Sequence, residues 1–523
     1  MNPPLSASLL SITAHARSGA LDHAWRLFRD AGLESVSDDP AVLGVRGRLL
    51  KDRADGSEGG ARRRFLLQAA DAYARAASLS GATYPLINAA SLSLLAGDAS
   101  ASQRLAVDTL ARLDTGPDQA ETPYYLAATR AEALLLLGRT AEARATLEGA
   151  VALAPRAWED HASTLRQFAR ILTALGQDAG WLDALRPPRA LHFAGHMAVS
   201  PHDDEAVRAV AEVVAAERIG FGYGALAAGA DILVAEALLA AGAELHVVLP
   251  AQRDSFREAS VAVADPGWAA RFDAVIARAD TVESVARAAE GPHLPAIRLA
   301  AEVAMGRAVM QASRLATEAV QLLLLDDPAA TTGSGAFGLG WRAAGRRQRV
   351  LAVARATGGP PAATSIDRGE RLAAMIAIEV TGLDGAEGAD LAGTLAAAVG
   401  PDAEPRWSGS TLGLTYETPG TAAMAALAAA GALAGRADVR IGGHYGLVRR
   451  LDDPFGGPPL AVGGEASIAA MLLASTPPGA VHVTEAFAAA LYADATPGVR
   501  AEHIGDLSGV DPEQPTRLFS LRS

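Results

Sequence analysis

The sequence predicts a multidomain protein of the α plus α/β class, with α-helical repeats first, a doubly wound parallel sheet next and an α+β domain last. A chain of 523 residues is too long for one ordinary hydrophobic core. Half of the residues are hydrophobic and only 5% are aromatic, and this alanine-rich composition favours tightly packed helices. The hydrophobic period then changes after an Arg-Pro-Pro-Arg stretch at 186–189. We therefore expect domains at 1–187, 188–355 and 371–523, with a Gly/Pro-rich linker at 356–370.

The first 187 residues are predicted to form helix pairs. Apolar residues recur at helical spacing on both sides of glycine-centred turns at Gly19, Gly97 and Gly138. Gly97 and Gly138 are 41 residues apart and Gly176 follows 38 residues later, so the repeat is irregular. It resembles the tetratricopeptide (TPR) repeat, and segment 84–176 resembles the TPR-like TRAF-binding region. The resemblance implies a concave surface for a protein partner, and a packing or dimerisation arm is the alternative.

From residue 190 onwards, strands and helices are predicted to alternate. A strand runs from Ala190 towards Gly195, and residues 219–250 have the pattern of strand, Gly-rich loop, helix and strand. Residues 320–327 form an apolar run typical of a buried strand. Because these strands alternate with helices, we expect a parallel, doubly wound sheet.

Three Gly-rich loops of this domain are candidates for ligand binding. Backbone N–H groups in such loops can approach a phosphate, and the N-terminus of the following helix adds a favourable dipole. Open α/β sheets bind ligands at the carboxyl ends of their strands, where these loops are expected to lie. The candidate residues in the loops are Gly195, His196, Gly222, Gly224, Ala225, Gly333, Ser334 and Gly335.

The segment from Gly224 to Pro250 resembles the SLOG superfamily. The residues that carry the resemblance are Gly229, Ala230, Asp231 and Glu236. The resemblance implies a Rossmann-like domain that binds a nucleotide-derived ligand. It also adds Gly229, Asp231 and Glu236 to the candidate ligand-binding residues.

Parts of this pattern depart from the hydrolytic members of that superfamily. Where their third loop supplies a Thr and a Glu, this chain has Ala336 and Phe337 with no acidic residue nearby downstream. Ligand binding is therefore favoured, and hydrolysis with Asp231 or Glu236 in the site is an alternative. In a purely structural interpretation the glycines serve turns and packing, Asp231 caps its helix and His196 is satisfied within its loop.

The C-terminal region contains four motif-like segments at 371–383, 407–416, 439–448 and 466–485. In order and spacing they resemble the class III adenylate/guanylate cyclase domain. That resemblance implies a ferredoxin-like α+β domain that forms a homodimer. The residues that match the framework of the family, and are expected to be structural, are Gly382, Gly442, His444, Gly446, Pro478 and Gly479.

The four positions that carry catalysis in such a domain have changed. The two metal-binding carboxylates of the family fall on Glu379 and Ser410, and its ribose-orienting Asn and charge-stabilising Arg fall on Ser467 and Met471. A neutral hydroxyl leaves a divalent ion under-compensated, and a thioether neither carries charge nor donates a hydrogen bond. Loss of one such electrostatic donor typically costs about 2.7–4 kcal/mol. We therefore expect a pseudocyclase, with no catalytic residues and no certain cofactor.

The alternative is a working but divergent nucleotidyl cyclase. Glu379 would then bind Mg²⁺ or Mn²⁺ together with an unconventional second ligand, and ATP or GTP would be the substrate. Glu465 is the unassigned carboxylate nearest to Ser467 and Met471, and is the candidate to compensate for them.

Composition argues against several other classes of function. A net charge of −13 and a pI near 5.4 argue against broad affinity for nucleic acid or anionic membranes. The absence of cysteine excludes disulfides, thiolate catalysis and Cys-based zinc sites. No signal peptide or membrane-spanning run is apparent, so we expect a cytoplasmic signalling protein. A short basic strip, Arg342 to Arg349, is expected to be a solvated helix face.

Overall fold

The computed structural model describes residues 5–115, 121–263, 266–286, 291–356, 369–401, 403–454, 460–463, 465–509 and 515–522. The chain divides into two compact units, Met1–Pro187 and Pro188–Ser523. The second unit contains a parallel-sheet domain and a mixed-sheet domain packed against each other. Most of the linker predicted at 356–370 lies outside the described residues.

The first compact unit is helical. Its helices are α1 (Leu5–Arg17), α2 (Leu21–Asp30), α3 (Pro40–Asp55), α4 (Gly59–Ser80), α5 (Thr83–Leu95), α6 (Ala99–Thr115), α7 (Pro123–Leu136), α8 (Thr140–Leu153) and α9 (Trp158–Ala174), with 3₁₀ turns at Leu33–Ser35 and Gly180–Leu185. The predicted turn glycines Gly19, Gly97 and Gly138 have φ of 86°, 83° and 75°, a left-handed conformation that ends a helix without steric cost. The predicted helical N-terminal region is thus confirmed. No helix of the described chain is long and apolar enough to cross a membrane.

The parallel-sheet domain contains six strands: β1 (Arg189–Gly195), β2 (Ile219–Gly224), β3 (Glu244–Leu249), β4 (Thr281–Ser284), β5 (Ala319–Leu325) and β6 (Arg347–Ala352). They are all parallel, in the order β4-β3-β2-β1-β5-β6, which confirms the predicted parallel sheet. Its helices are α10 (Asp204–Ala216), α11 (Ala230–Ala240), α12 (Arg253–Arg257) with a π-helical turn (Glu258–Ala262), α13 (Pro266–Ile276), α14 (Leu294–Arg314), and α15 (Phe337–Ala343) after a 3₁₀ turn (Gly333–Ala336). The strand order reverses between β1 and β5, so a crevice is expected at their carboxyl ends.

The basic strip of this domain is a solvated helix face only at Arg342, which is exposed on α15, and the prediction was wrong for the part that lies on β6. Arg347 and Arg349 belong to β6, which extends the sheet beside β5. Both guanidinium groups contact the carboxylate of Glu217, at 2.7 and 2.6 Å, and the Glu217 side chain is only 1% exposed. The strip therefore compensates a buried charge at the edge of the sheet.

The mixed-sheet domain contains the strands β7 (Glu370–Val380), β8 (Glu404–Ser408), β9 (Thr411–Tyr416), β10 (Val439–Leu451), β11 (Leu460–Val462), β12 (Val481–Thr484), β13 (Arg500–Leu507) and β14 (Thr516–Arg522). Their order is β13-β14-β12-β10-β7-β9-β8, with β11 paired to β10. Among the strand pairs of the described residues, β10 and β12 run parallel and the others are antiparallel. The helices are α16 (Gly388–Val399), α17 (Pro419–Ala432), α18 (Ile468–Met471) with a 3₁₀ turn (Leu472–Ser475), and α19 (Glu485–Asp494).

The two domains of the second unit meet where α14 packs against α19. Gly306 permits the contact, because a Cβ there would lie 1.9 Å from the carbonyl oxygen of Ala489. The next residue, Arg307, donates to the carboxylate of Glu485 at 2.5 Å. The hydroxyl of Tyr445 on β10 donates to Glu302 on α14 at 2.7 Å. These contacts fix the parallel-sheet domain against the mixed-sheet domain.

Candidate functional site

Two of the three predicted Gly-rich loops meet at the reversal of strand order, which we call the β1–β5 crevice. Gly195 ends β1, and the turn that contains Ser334 follows β5. The hydroxyl of Ser334 donates to the carbonyl of Gly195 at 2.7 Å. The N–H of His196 donates to the carbonyl of Leu324 on β5 at 3.2 Å. The structure therefore brings the first and third predicted loops together.

His196 is buried in this crevice and is satisfied at only one of its two ring nitrogens. Its Nε2 lies 2.9 Å from the carbonyl oxygen of Val353, an acceptor, so Nε2 is the nitrogen that carries hydrogen. In the neutral ring, Nδ1 is then an acceptor. Within the described part of the chain this buried Nδ1 has no hydrogen-bond partner. The structural interpretation of His196 therefore accounts for one nitrogen and leaves the other without a partner among the described residues.

Asp231 lies in the first turn of α11 and is 6% exposed. Its Oδ2 accepts a hydrogen bond from the N–H of Ala227 at 3.1 Å, which fixes the loop before the helix. Burial raises the pKa of Asp231 to about 7, although the N–H groups of Ala227 and Gly195 act in the opposite direction. Near neutral pH this side chain can therefore be either a hydrogen-bond donor or an acceptor.

The second predicted loop is mostly strand. Gly222 lies inside β2 and Gly224 ends it, so only Ala225 follows the strand. A Cβ at Gly222 would lie 2.3 Å from Cδ1 of Leu238 on α11, and one at Gly224 would lie 2.6 Å from the ring of Phe193. Both glycines are therefore required by packing, whether or not a ligand binds. The prediction placed these glycines in a loop because a sequence pattern does not show which strands pair.

Other members of the predicted ligand set also have structural partners. A Cβ at Gly229 would lie 2.6 Å from the carbonyl oxygen of Met197, and one at Gly335 would lie 2.2 Å from that of Ala330. Gly333 begins its 3₁₀ turn with a φ of 55°. These glycines allow the loops to pack closely, and a role in ligand binding stays a prediction.

Glu236 is engaged elsewhere. Both of its carboxylate oxygens accept from the guanidinium of Arg271 on α13, at 2.8 and 2.5 Å. Arg271 also stacks on Trp268 at 4.2 Å. This bidentate pair occupies the carboxylate with a structural contact between α11 and α13.

In the mixed-sheet domain, Glu379 and Ser410 come together at one end of β7. Glu379 lies opposite Thr411 in the sheet, and the N–H of Val380 donates to the carbonyl of Ser410 at 3.2 Å. The carboxylate of Glu379 accepts from Arg440 at 2.9 Å. Among the described residues no three His, Asp or Glu side chains are grouped as metal ligands. A carboxylate paired with a guanidinium, next to a neutral hydroxyl, does not fit a divalent-ion site.

The other two altered positions lie on α18. Ser467 immediately precedes the helix and Met471 ends it, with 44% of Met471 exposed. The helix packs on β10 at Gly442, where a Cβ would lie 2.1 Å from the carbonyl of Ala469. The structure thus keeps a helix here but presents no guanidinium or amide from these two residues.

Comparison with known proteins finds a match to one family model over part of the chain and similarity to several solved structures. A profile of the family described as Tetratricopeptide Repeats-Sensor (TPR-S) matches residues 4–93, which supports the predicted TPR-like repeats. No curated protein matches the sequence.

Among solved structures, the chain is similar to the adenylyl cyclase CyaB from P. aeruginosa (TM-score 0.24, 12% identity, 29% of this chain and 95% of that one). It is also similar to a non-canonical dimeric guanylyl cyclase domain of RhoGC from Blastocladiella emersonii (TM-score 0.25, 11% identity, 29% and 97%). A third is the guanylate cyclase domain of RhGC from Catenaria anguillulae (TM-score 0.24, 12% identity, 29% and 96%). TM-scores of this size do not establish a shared fold or function.

Proposed function

We propose that this chain is a signalling regulator whose parallel-sheet domain binds a nucleotide-derived small molecule in the β1–β5 crevice. The observation that carries the proposal is the buried, unpartnered Nδ1 of His196, beside the loops that Ser334 and Gly195 hold together. A buried acceptor left without a donor costs about 1–3 kcal/mol. A ligand hydroxyl or amine that donates to Nδ1 would remove this cost.

The surrounding groups suit the chemistry of a nucleotide. The crevice lies at the carboxyl ends of parallel strands, where the order of the strands reverses. With a pKa of about 7, Asp231 can donate a hydrogen bond when protonated and accept one when ionised. A sugar hydroxyl can supply the donor for His196, and a protonated Asp231 tolerates a nearby phosphate better than an ionised carboxylate would.

The same proposal assigns supporting roles to the other regions. The mixed-sheet domain acts in dimerisation or regulation without cyclising a nucleotide, since Glu379 is neutralised by Arg440 and Met471 replaces a guanidinium. The helical region recruits a protein partner, which the TPR-S match supports. Ligand capture would then bias the mixed-sheet domain through the α14–α19 contact.

Titration calorimetry on the full chain tests ligand binding, with adenine and guanine nucleotides and cyclic ADP-ribose as the probes. We expect one of them to bind, and His196→Ala to weaken it about tenfold or more. His202→Ala is the matched control, since His202 is exposed in the segment after β1. Equal affinity in the wild type and His196→Ala, or no binding by any probe, contradicts the proposal.

The absence of cyclase activity is tested separately. The full chain is incubated with ATP or GTP and Mn²⁺, and the products are analysed by mass spectrometry. We expect no cyclic nucleotide. A cyclic product that disappears in Glu379→Ala would show that the divergent-cyclase alternative is correct.

A further inference from the structure

A cavity of about 1290 Å³ lies between the parallel-sheet and mixed-sheet domains, and we call it the interdomain cavity. One wall consists of the loops after β3 and β4 and one stripe of α14. The other consists of β10, the segment leading into α18, and the start of α19. None of the predicted ligand-binding residues lines it. It is therefore separate from the β1–β5 crevice.

Acidic side chains outnumber basic ones around this cavity. Its carboxylates are Asp254, Glu283, Glu370, Glu465, Glu485 and Asp506. Its guanidinium groups are Arg253, Arg307, Arg449 and Arg517. With neutral histidines, two negative charges remain in excess. Because uncompensated charge is costly to bury, a ligand with positive charge is favoured.

Two of the guanidinium groups neutralise the charge of two of the carboxylates. Arg307 donates to both Glu283 and Glu485, and its side chain is 9% exposed. Arg517 also contacts Glu485, at 3.1 Å. Burial acts to lower the pKa of Arg307, but the two carboxylates hold it above its usual range. This part of the wall is an ion cluster that needs no ligand.

Two other carboxylates face imidazoles instead. Glu370 lies 3.1 Å from Nε2 of His293, and Glu465 lies 3.6 Å from Nε2 of His444. A neutral imidazole supplies no full positive charge to either carboxylate. Arg449 lies opposite Glu370 across the β7–β10 ladder without forming an ion pair with it in the described structure. Asp506 also faces an imidazole, that of His503 at 3.3 Å, but its side chain is 54% exposed. The less exposed negative charge is therefore assigned to Glu370 and Glu465.

Strand β10 fixes the position of the Glu465 carboxylate. Its Oε2 accepts from the N–H of Leu447 at 2.7 Å. The carboxylate can approach the strand this closely because Gly446 has no side chain: a Cβ there would lie 1.9 Å from Oε2. The strand thus holds one carboxylate in place on the cavity wall.

His444 supplies a second open group beside this carboxylate. The residue is 8% exposed, and its Nδ1 lies 2.9 Å from the hydroxyl oxygen of Thr484. Its Nε2 has no hydrogen-bond partner among the described residues, since 3.6 Å to Glu465 is too far for one. An ammonium group carries three donors, so it can bond both the Glu465 carboxylate and an accepting Nε2.

Apolar side chains also line the cavity. Leu299 and Val303 line the cavity from α14, and Leu447, Ile468 and Met471 line it from the mixed-sheet domain. Such walls suit methylene groups better than a hydrated metal ion. We infer that the interdomain cavity binds an aliphatic diamine or polyamine, with one ammonium group at Glu465 and another at Glu370.

The test is titration calorimetry of the full chain with 1,5-diaminopentane and spermidine at constant ionic strength. 1-Aminopentane and Mg²⁺ are the control ligands, because the first has one ammonium group and the second has no apolar part. We expect the diamine or the polyamine to bind at least about tenfold more tightly than either control. Glu465→Gln and Glu370→Gln should each weaken that binding about tenfold.

Matched variants separate loss of the site from loss of the fold. Glu465→Gln keeps an acceptor for the N–H of Leu447, so its unfolding temperature without amine should stay close to that of the wild type. Gly446→Ala displaces the carboxylate and should lose binding, whereas Gly413→Ala on β9 should not, because its Cβ would meet only the carbonyl oxygen of Arg406 at an ordinary contact distance of 3.6 Å. Glu212→Gln, on the exposed face of α10, should bind as the wild type does.

Three results would each overturn the inference. The first is equal affinity in the wild type, Glu465→Gln and Glu370→Gln. The second is binding of Mg²⁺ or 1-aminopentane that is as tight as that of both amine probes. The third is no binding of either amine probe. Since the His196 variant and its nucleotides address a different site, failure here would leave the β1–β5 crevice untouched.

Discussion

The β1–β5 crevice and the interdomain cavity lie in the same compact unit but satisfy their polar groups differently. In the crevice, Ser334 and Asp231 bond to nearby backbone, and the buried atoms left without a partner among the described residues are Nδ1 of His196 and Oδ1 of Asp231. In the cavity, Arg307 compensates two carboxylates, while Glu370 and Glu465 face imidazoles. The difference indicates that a closely packed region and an open cavity can each leave polar groups for a ligand to satisfy.

Glycines show the same difference. In the parallel-sheet domain, Gly222 and Gly224 leave room for side chains of the same domain. In the mixed-sheet domain, Gly446 leaves room for a carboxylate that faces the cavity. A glycine therefore indicates a close approach in both regions, and the identity of the approaching atom decides whether the position concerns packing or binding.

The largest effect is expected from breaking the compensated half of the cavity wall with Arg307→Ala. It would leave Glu283 and part of Glu485 without their cation, and loss of one partner of a buried ion cluster costs about 3–5 kcal/mol. Urea denaturation measures the free energy of unfolding. Arg208→Ala, an exposed substitution on α10, is the control and should change it by less than about 0.5 kcal/mol. A loss below about 1 kcal/mol for Arg307→Ala would show that this cluster is not buried as described.

A second prediction concerns the crevice and its pH dependence. The pKa of Asp231 is raised from 3.8 to about 7 in the folded chain, so the folded state binds the proton more tightly than the unfolded state does. Its contribution to stability is present below the unfolded value and is lost as the pH rises towards about 7. The full change is up to about 4 kcal/mol. Asp231→Asn should flatten the stability profile over this range, as measured by urea denaturation at pH 4, 5.5 and 7, and an unchanged slope would contradict the prediction.

The smallest of these effects tests the contact that positions the cavity. Gly306→Ala would place a Cβ 1.9 Å from the carbonyl of Ala489, so α14 and α19 must separate, at a cost of about 2–3 kcal/mol. Gly340→Ala is the matched change in α15, where the position is open, and should stabilise by about 0.5–1 kcal/mol. Thermal unfolding gives the change in unfolding temperature for each of the two variants. Shifts of the same sign would mean that the helix contact is looser than the structure indicates.

Much of the architecture could be predicted because it follows from local patterns. The turn glycines Gly97 and Gly138 separate helices as expected, and the apolar run at 320–327 contains the buried strand β5. The edge strand β6 could not be predicted, because its arginines suggest a solvated helix face, and their partner, the buried carboxylate of Glu217, is remote in sequence. Gly222 was assigned to a loop because a glycine pattern does not reveal the partners of a strand.

The candidate sites divide in a similar way. The sequence located the loops around Gly195 and Ser334, since glycines after a strand carry a local signal. It singled out Glu465 only as a nearby carboxylate and missed Glu370 and His293, because these residues come from segments far apart in the chain. The one signal available for Glu465 was the pairing of Gly446 and His444 on a single strand.

By itself, the sequence determined that the chain has a helical region followed by a region with alternating strands and helices, which follows from the hydrophobic period of short segments. That the reactive residues of a cyclase domain are replaced stays a prediction, which rests on the resemblance of four short motifs. Only the tertiary structure decided which carboxylates are compensated, which nitrogen of His196 lacks a partner among the described residues, and that a cavity lies between the parallel-sheet and mixed-sheet domains. These depend on distances between segments remote in sequence, and electrostatic and hydrogen-bond energies change sharply with such distances.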